Sequence, residues 1–114
     1  MSRRQKSVER VPTLSGKEAL VLELLLANPA TEMYGLELVN TSGKGLKRGT
    51  IYVTLSRMED KDYVESRLEE KKPDASGIRR RLYQATGYGQ RVFEAWQLAR
   101  EAGRMRLAGI DRGI

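Results

Sequence analysis

A chain of 114 residues has room for one hydrophobic core but not two. It contains no Cys and no His, which removes disulfides, thiolate zinc sites, cysteine nucleophiles and histidine general bases together. Its 21 Lys and Arg against 15 Asp and Glu give a formal charge of +6, which favours a polyanionic partner over an acidic small substrate.

Residues 1–12 carry Arg3, Arg4, Lys6 and Arg10 with almost no apolar periodicity, and read as a flexible basic arm. Ser15 followed by Glu18 is a capping box that opens a first helix, and Asn28-Pro29 ends it, because proline disfavours helical geometry in the residue before it. Leu20, Val21, Leu22, Leu24, Leu25 and Leu26 leave that helix little polar surface. Burial on more than one side is expected, with a partner subunit as the natural second layer. Thr31 is placed to cap a second helix holding Tyr34, Leu36, Leu38 and Val39, which Thr41-Ser42-Gly43 breaks.

A third helix is expected to start between Leu46 and Thr50, with Ile51, Leu55 and Met58 as its core stripe. Its other face gathers Thr50, Val53, Arg57 and Asp60, with Thr54 at the edge. Tyr63–Glu69 alternates as a strand, Arg80–Ala85 returns as its partner, and the turn-rich 72–77 segment joins them as a basic loop. Thr86 then caps a last helix over about 88–107, roughly 30 Å long at 1.5 Å per residue, with residues 109–114 as a frayed tail. The apolar run Ala19–Ala27, interrupted by Glu23, is too short to span a bilayer. No signal peptide is read at the N-terminus, and a cytoplasmic location is expected.

Helix, helix, third helix and strand–loop–strand, in that order, describe a mainly α fold with a small two-stranded β-wing: a winged helix-turn-helix over 13–86 plus a C-terminal dimerisation helix over 87–108. In such a fold the third helix enters the major groove by its N-terminal residues. Lys44, Lys47, Arg48, Thr50 and Tyr52 occupy that region, Val53 or Thr54 can meet a thymine methyl, and Arg57 can reach a guanine or a phosphate. Lys71, Lys72, Arg79, Arg80 and Arg81 either reach the adjacent minor groove or backbone, or simply guard an edge strand.

On the last helix Val92, Phe93, Trp96, Ala99, Ala102 and Gly103 form a stripe, with Leu98 and Met105 beside it. Its small residues permit close helix approach, so a homodimer is expected, with Leu22, Leu26, Val92, Trp96, Ala99 and Gly103 at the interface. Trp96 serves there as an interface or core anchor, or lines a ligand pocket. Glu65, Glu69 and Glu70 read as solvated strand charges rather than a catalytic pair, and Gly43-Lys44-Gly45 as turn chemistry rather than a phosphate loop. No enzymatic activity, cofactor or metal is expected. A protein-interaction module that uses the same fold without specific DNA binding is the alternative.

Three stretches carry a family resemblance. Tyr34-Gly35-Leu36-Glu37-Leu38, then Gly49-Thr50-Ile51-Tyr52-x-x-Leu55-x-x-Met58-Glu59, then Arg80-Arg81-x-Tyr83-x-x-Thr86-x-x-Gly89 resemble, in order, the signatures of the PadR family of bacterial transcriptional regulators. The resemblance covers about residues 14–106 and implies a homodimeric repressor that occludes a near-palindromic operator in double-stranded DNA. It implies that Tyr52, Thr50 and the residues near Lys47 lie at the DNA surface. It also implies that a small aromatic effector can bind between subunits, against Trp96 with Phe93 and Val92 beside it. Where the family usually has glycine after the third helix this chain has Asp62, which must take the turn conformation that glycine normally supplies.

Overall fold

The computed structural model describes residues 13–70 and 79–111, with side chains described as far as Arg106. The basic arm, Lys71, Lys72 and the last three residues of the expected tail lie outside the described residues. The elements in chain order are α1 (Gly16–Ala27), β1 (Met33–Tyr34), α2 (Gly35–Thr41), α3 (Ile51–Asp60), β2 (Val64–Leu68), β3 (Arg81–Ala85) and α4 (Gly87–Asp111). No described helix is long and apolar enough to cross a membrane.

The capping box forms as expected. Ser15 Oγ accepts the Glu18 N–H at 3.1 Å, and Glu18 Oε1 accepts the Ser15 N–H at 3.0 Å. Burial and the desolvation it brings oppose ionisation of Glu18, but Lys61 Nζ at 2.8 Å from Oε2, together with Ser15, holds its carboxyl below the usual range. Thr31 does not cap α2. Its N–H closes a turn onto the Asn28 carbonyl, and the chain then extends for two residues before α2 starts. The N-terminal donor of α2 is instead satisfied by Glu37, whose Oε1 accepts the Tyr34 N–H at 2.9 Å.

The expected two-stranded wing forms as β2 paired antiparallel with β3, and those two extended residues add a strand to it. β1 pairs antiparallel with β3, making a three-stranded sheet in the order β1-β3-β2. Tyr83 is the hub of this sheet, opposite Met33 on one side and Ser66 on the other. Its ring is buried, which pushes the phenol pKa up.

Val21, Leu22 and Leu25 of α1, Leu38 of α2, and Ile51, Leu55 and Met58 of α3 form one core with Val64, Tyr83, Val92 and Phe93. The predicted stripe on α3 is therefore its buried face. α1 is covered within its own chain by the other three helices and β3, so it does not need a partner to hide its core side. Leu22 is 0% exposed and offers no surface to a second subunit; Leu26 is only partly buried.

α3 ends in a Schellman arrangement. The Tyr63 N–H reaches the Met58 carbonyl at 2.9 Å, the Asp62 N–H reaches Glu59 at 3.0 Å, and Asp62 has φ of 64°. Asp62 thus takes the left-handed slot that its place in the sequence required. At this same turn, from the end of β3, Thr86 donates to the Asp62 carbonyl and accepts the Gly89 N–H at 2.8 Å, capping α4. Gly89 lies so close to Tyr63 that a Cβ there would collide with the Tyr63 carbonyl oxygen. α4 continues to Asp111, beyond the expected end near residue 107.

Candidate nucleic-acid interface

With Ile51, Leu55 and Met58 turned inward, the 100° step of an α-helix sends Val53 and Asp60 straight outward. Val53 is 54% exposed and Tyr52 51%, so the outer surface of α3 presents an apolar and an aromatic side chain. Thr50, Thr54 and Arg57 fall on the flank towards α1, and Tyr52 falls on the flank towards α2 and the sheet. Asp60 places a negative charge at the C-terminal end of the outer ridge, so the N-terminal half of α3 is the part suited to a polyanion.

The turn before α3 has a defined path. Ser42 Oγ donates to the Val39 carbonyl and accepts the Leu46 N–H at 3.0 Å, while Gly43 turns the chain at φ 69°. The buried Leu46 pins the segment, and the Ile51 N–H bonds to the Lys47 carbonyl at 3.0 Å. The helical path thus begins at Lys47 even though the regular helix begins at Ile51. Lys44, Lys47 and Arg48 are all exposed along this turn, with no ion pair among the described residues.

Tyr52 is positioned by a glycine. A Cβ on Gly35 would meet its ring carbons at 2.7 and 2.9 Å, so the ring lies directly on the backbone at the start of α2. Together with Tyr34, Leu36, Glu37, Asn40 and Arg79–Arg81 it lines a cleft of about 430 Å³ between α2, α3 and the wing. The sequence reading missed Leu36 and Asn40 as lining residues; spacing along α2 puts them on the exposed face but does not say what they face.

The three wing arginines differ in what they are free to do. Arg80 is built into the sheet margin: its guanidinium lies 3.9 Å over the Tyr34 ring and its Nε is 3.3 Å from Glu69 Oε1. Glu69 also accepts the Arg80 backbone N–H and the Tyr34 hydroxyl, contacts that hold its carboxyl low and raise the Tyr34 phenol. Arg80, expected at the DNA, is thus anchored where it braces β1 against the wing. Arg81 donates to Ser66 Oγ at 3.1 Å, and Ser66 passes the bond to Glu59. Arg79 is exposed, and Lys72 lies outside the described residues.

On α4 the residues expected at an interface or effector site divide by burial. Val92, 1% exposed, and Phe93, 7%, are core residues of their own chain, so neither lines an open pocket or a subunit face. Trp96 is half-buried, with its ring 5.9 Å from that of Phe93 and the Arg100 guanidinium 4.7 Å from its centroid. Ala99 and Gly103 are half-exposed, and beside them Leu98 and Met105 are 72% and 67% exposed.

Solved structures with this fold include a PadR-like transcription factor from Bacteroides fragilis, 19% identical with a TM-score of 0.69, covering 82% of this chain and 87% of that one. A PadR-like transcriptional regulator from Bacillus cereus is 23% identical with a TM-score of 0.62, covering 85% and 92%. A PadR family transcription regulator from Clostridium difficile is 25% identical with a TM-score of 0.58, covering 86% and 97%. No curated protein matches the chain. The transcriptional regulator PadR-like family matches residues 21–95, from the middle of α1 into α4 and across every element of the interface between them. The chain belongs to the PadR-like family of transcriptional regulators.

Proposed function

We propose that this regulator acts as a homodimeric repressor, laying the N-terminal half of α3 from each subunit into successive major grooves of a near-palindromic operator and occluding a promoter. The observation that carries the reading is the bare N-terminal half of α3. Val53 and Tyr52 project there from a rigid helix, while Lys44, Lys47 and Arg48 precede them without acidic partners among the described residues. Apolar and hydroxyl side chains at the tip suit base edges, and the cations beside them suit phosphates.

The second subunit supplies what α4 lacks. A helix of 25 residues is about 37 Å long, and Leu98 and Met105 leave an apolar stripe uncovered beside the small Ala99 and Gly103. Pairing of two such helices covers the stripe and sets the recognition helices roughly 34 Å apart, one turn of the duplex. An aromatic effector that stacks on Trp96 displaces Arg100 from that ring, and a change in Trp96 fluorescence reports it.

Light scattering followed by fluorescence anisotropy tests the proposal, using a duplex that the protein itself selects from a random-sequence pool. A dimer that prefers this duplex over a scrambled one, with binding weakened by salt, supports it. A monomer, or a dimer indifferent to sequence, moves the reading to a protein-interaction module.

A further inference from the structure

We propose that the first turn of α1 belongs to the DNA-binding surface: Lys17 and Arg57 form a seat for one backbone phosphate on the flank of α3 opposite the wing. A helix with its side chains is about 10–12 Å across and the major groove about 12 Å wide, so a helix lying in the groove has one backbone along each flank. The wing-side flank has Arg79 and Arg81. The other flank opens into a separate cleft of about 420 Å³ between α1 and α3, which shares no lining residue with the first.

The chemistry of that second cleft selects an anion. Its one carboxylate, Glu18, is occupied by the Ser15 N–H at 3.0 Å and by Lys61 at 2.8 Å, so Lys61 is occupied with it. Lys17 and Arg57 remain, neither with an acidic partner among the described residues. Lys17 Nζ reaches across the cleft to within 3.5 Å of Thr50 Oγ1, at the N-terminus of α3. The Thr50 side chain caps no helical N–H, and Thr54 lies one turn further along the same flank. Beside the Glu18 group with Ser15 and Lys61, two cations and two hydroxyls therefore line a cleft that the outward-facing Val53 of α3 also lines. A phosphate seated there belongs to the groove that Val53 enters.

The inference rests on the DNA-binding reading, and the test separates the two. Anisotropy titrations over a range of salt would compare the wild-type chain with Lys17→Gln and Lys17→Arg on the duplex selected from the random pool and on its scrambled counterpart. Loss of one phosphate contact lowers the slope of log affinity against log salt by about 0.9, and weakens binding about fivefold near 0.15 M salt. Lys17→Gln is expected to do this equally on both duplexes, while Lys17→Arg keeps the slope. Replacing single phosphates by methylphosphonates is expected to find one position whose neutralisation costs the wild type affinity and costs Lys17→Gln nothing further. Lys17→Gln with an unchanged slope, or no such position, overturns the seat alone. A wild-type chain that binds neither duplex overturns the DNA-binding reading, and the seat with it.

Discussion

Gly35→Ala separates the stability of this protein from its DNA affinity. The new methyl would stand 2.7 Å from Tyr52 Cε1, 2.9 Å from Cζ and 3.0 Å from the hydroxyl. Carbon contacts settle at about 3.5–4.0 Å, so the ring must retreat by about 1 Å. It can, because the obstacle is the far end of a half-exposed side chain rather than backbone. The forced torsion costs about 1 kcal/mol, and the alanine returns a similar amount, ~0.5–1 kcal/mol, by its lower entropy cost in a helix. Those terms nearly cancel, so the melting temperature at fixed protein concentration should move by no more than a few degrees. Affinity has no such compensation. A misplaced Tyr52 forfeits about 1–1.5 kcal/mol of contact, close to tenfold in the dissociation constant. Circular dichroism melts and anisotropy on one preparation would measure both. Unchanged affinity with a lowered melting temperature would refute the reasoning, since Tyr52 would then be scaffold rather than contact.

Gly89→Ala should do the reverse: its Cβ would meet the Tyr63 carbonyl, which is backbone and cannot swing away, so α4 must lift from the sheet. A loss of about 3 kcal/mol, more than about 10 °C in a thermal melt, is expected, and a shift of only a degree or two would contradict the packing described. Leu98→Lys combined with Met105→Lys should convert the proposed dimer to a monomer in light scattering while leaving the helical signal intact, because both side chains are exposed within the protomer. A variant that stays dimeric would place the two-fold elsewhere. Glu18 has a folded pKa below its ordinary 4.5, so its ion pair stabilises the fold above that value, and the contribution is lost as pH falls through the folded pKa. Glu18→Gln keeps an acceptor for Ser15 but removes the charge, so its stability should fall less than the wild type's on acidification below about pH 4.5. Parallel curves in acid denaturation would show that the Lys61 pair adds nothing.

Much of the architecture was legible because its signals are local. Ser15 and Glu18 announce α1, the spacing of Ile51, Leu55 and Met58 orients α3, and Thr86 marks the start of α4. β1 was not legible, since two extended residues fall below any periodicity, and the cap of α2 lacks the usual hydroxyl. Leu22 misled for a physical reason: a helix apolar nearly all round needs cover on several sides, and the pattern does not say whether its own chain provides it. The ion pair and ring contact of Arg80 were not legible because its partners, Tyr34 and Glu69, are remote in sequence and meet it only through the sheet. The approach of Lys17 to Thr50 was hidden for the same reason, as the two lie 33 residues apart. Within the site, residues along α3 could be placed from helical spacing, whereas everything that depends on what packs beside α3 required the fold.

Tyr34 ends β1 and Gly35 begins α2 with no linker between them, while β3 ties β1 to the wing. Such a joint has no slack. β1, β3, α2 and the seat of Tyr52 are thus joined directly, so a signal arriving at α4 has little means of loosening one of them alone. What it can alter in the proposed dimer is the stance of two inflexible heads, their separation and tilt. Control of this kind would act as a caliper does, by matching or missing the pitch of the operator, and lengthening the spacer between half-sites by a single base pair should weaken binding by the proposed dimer.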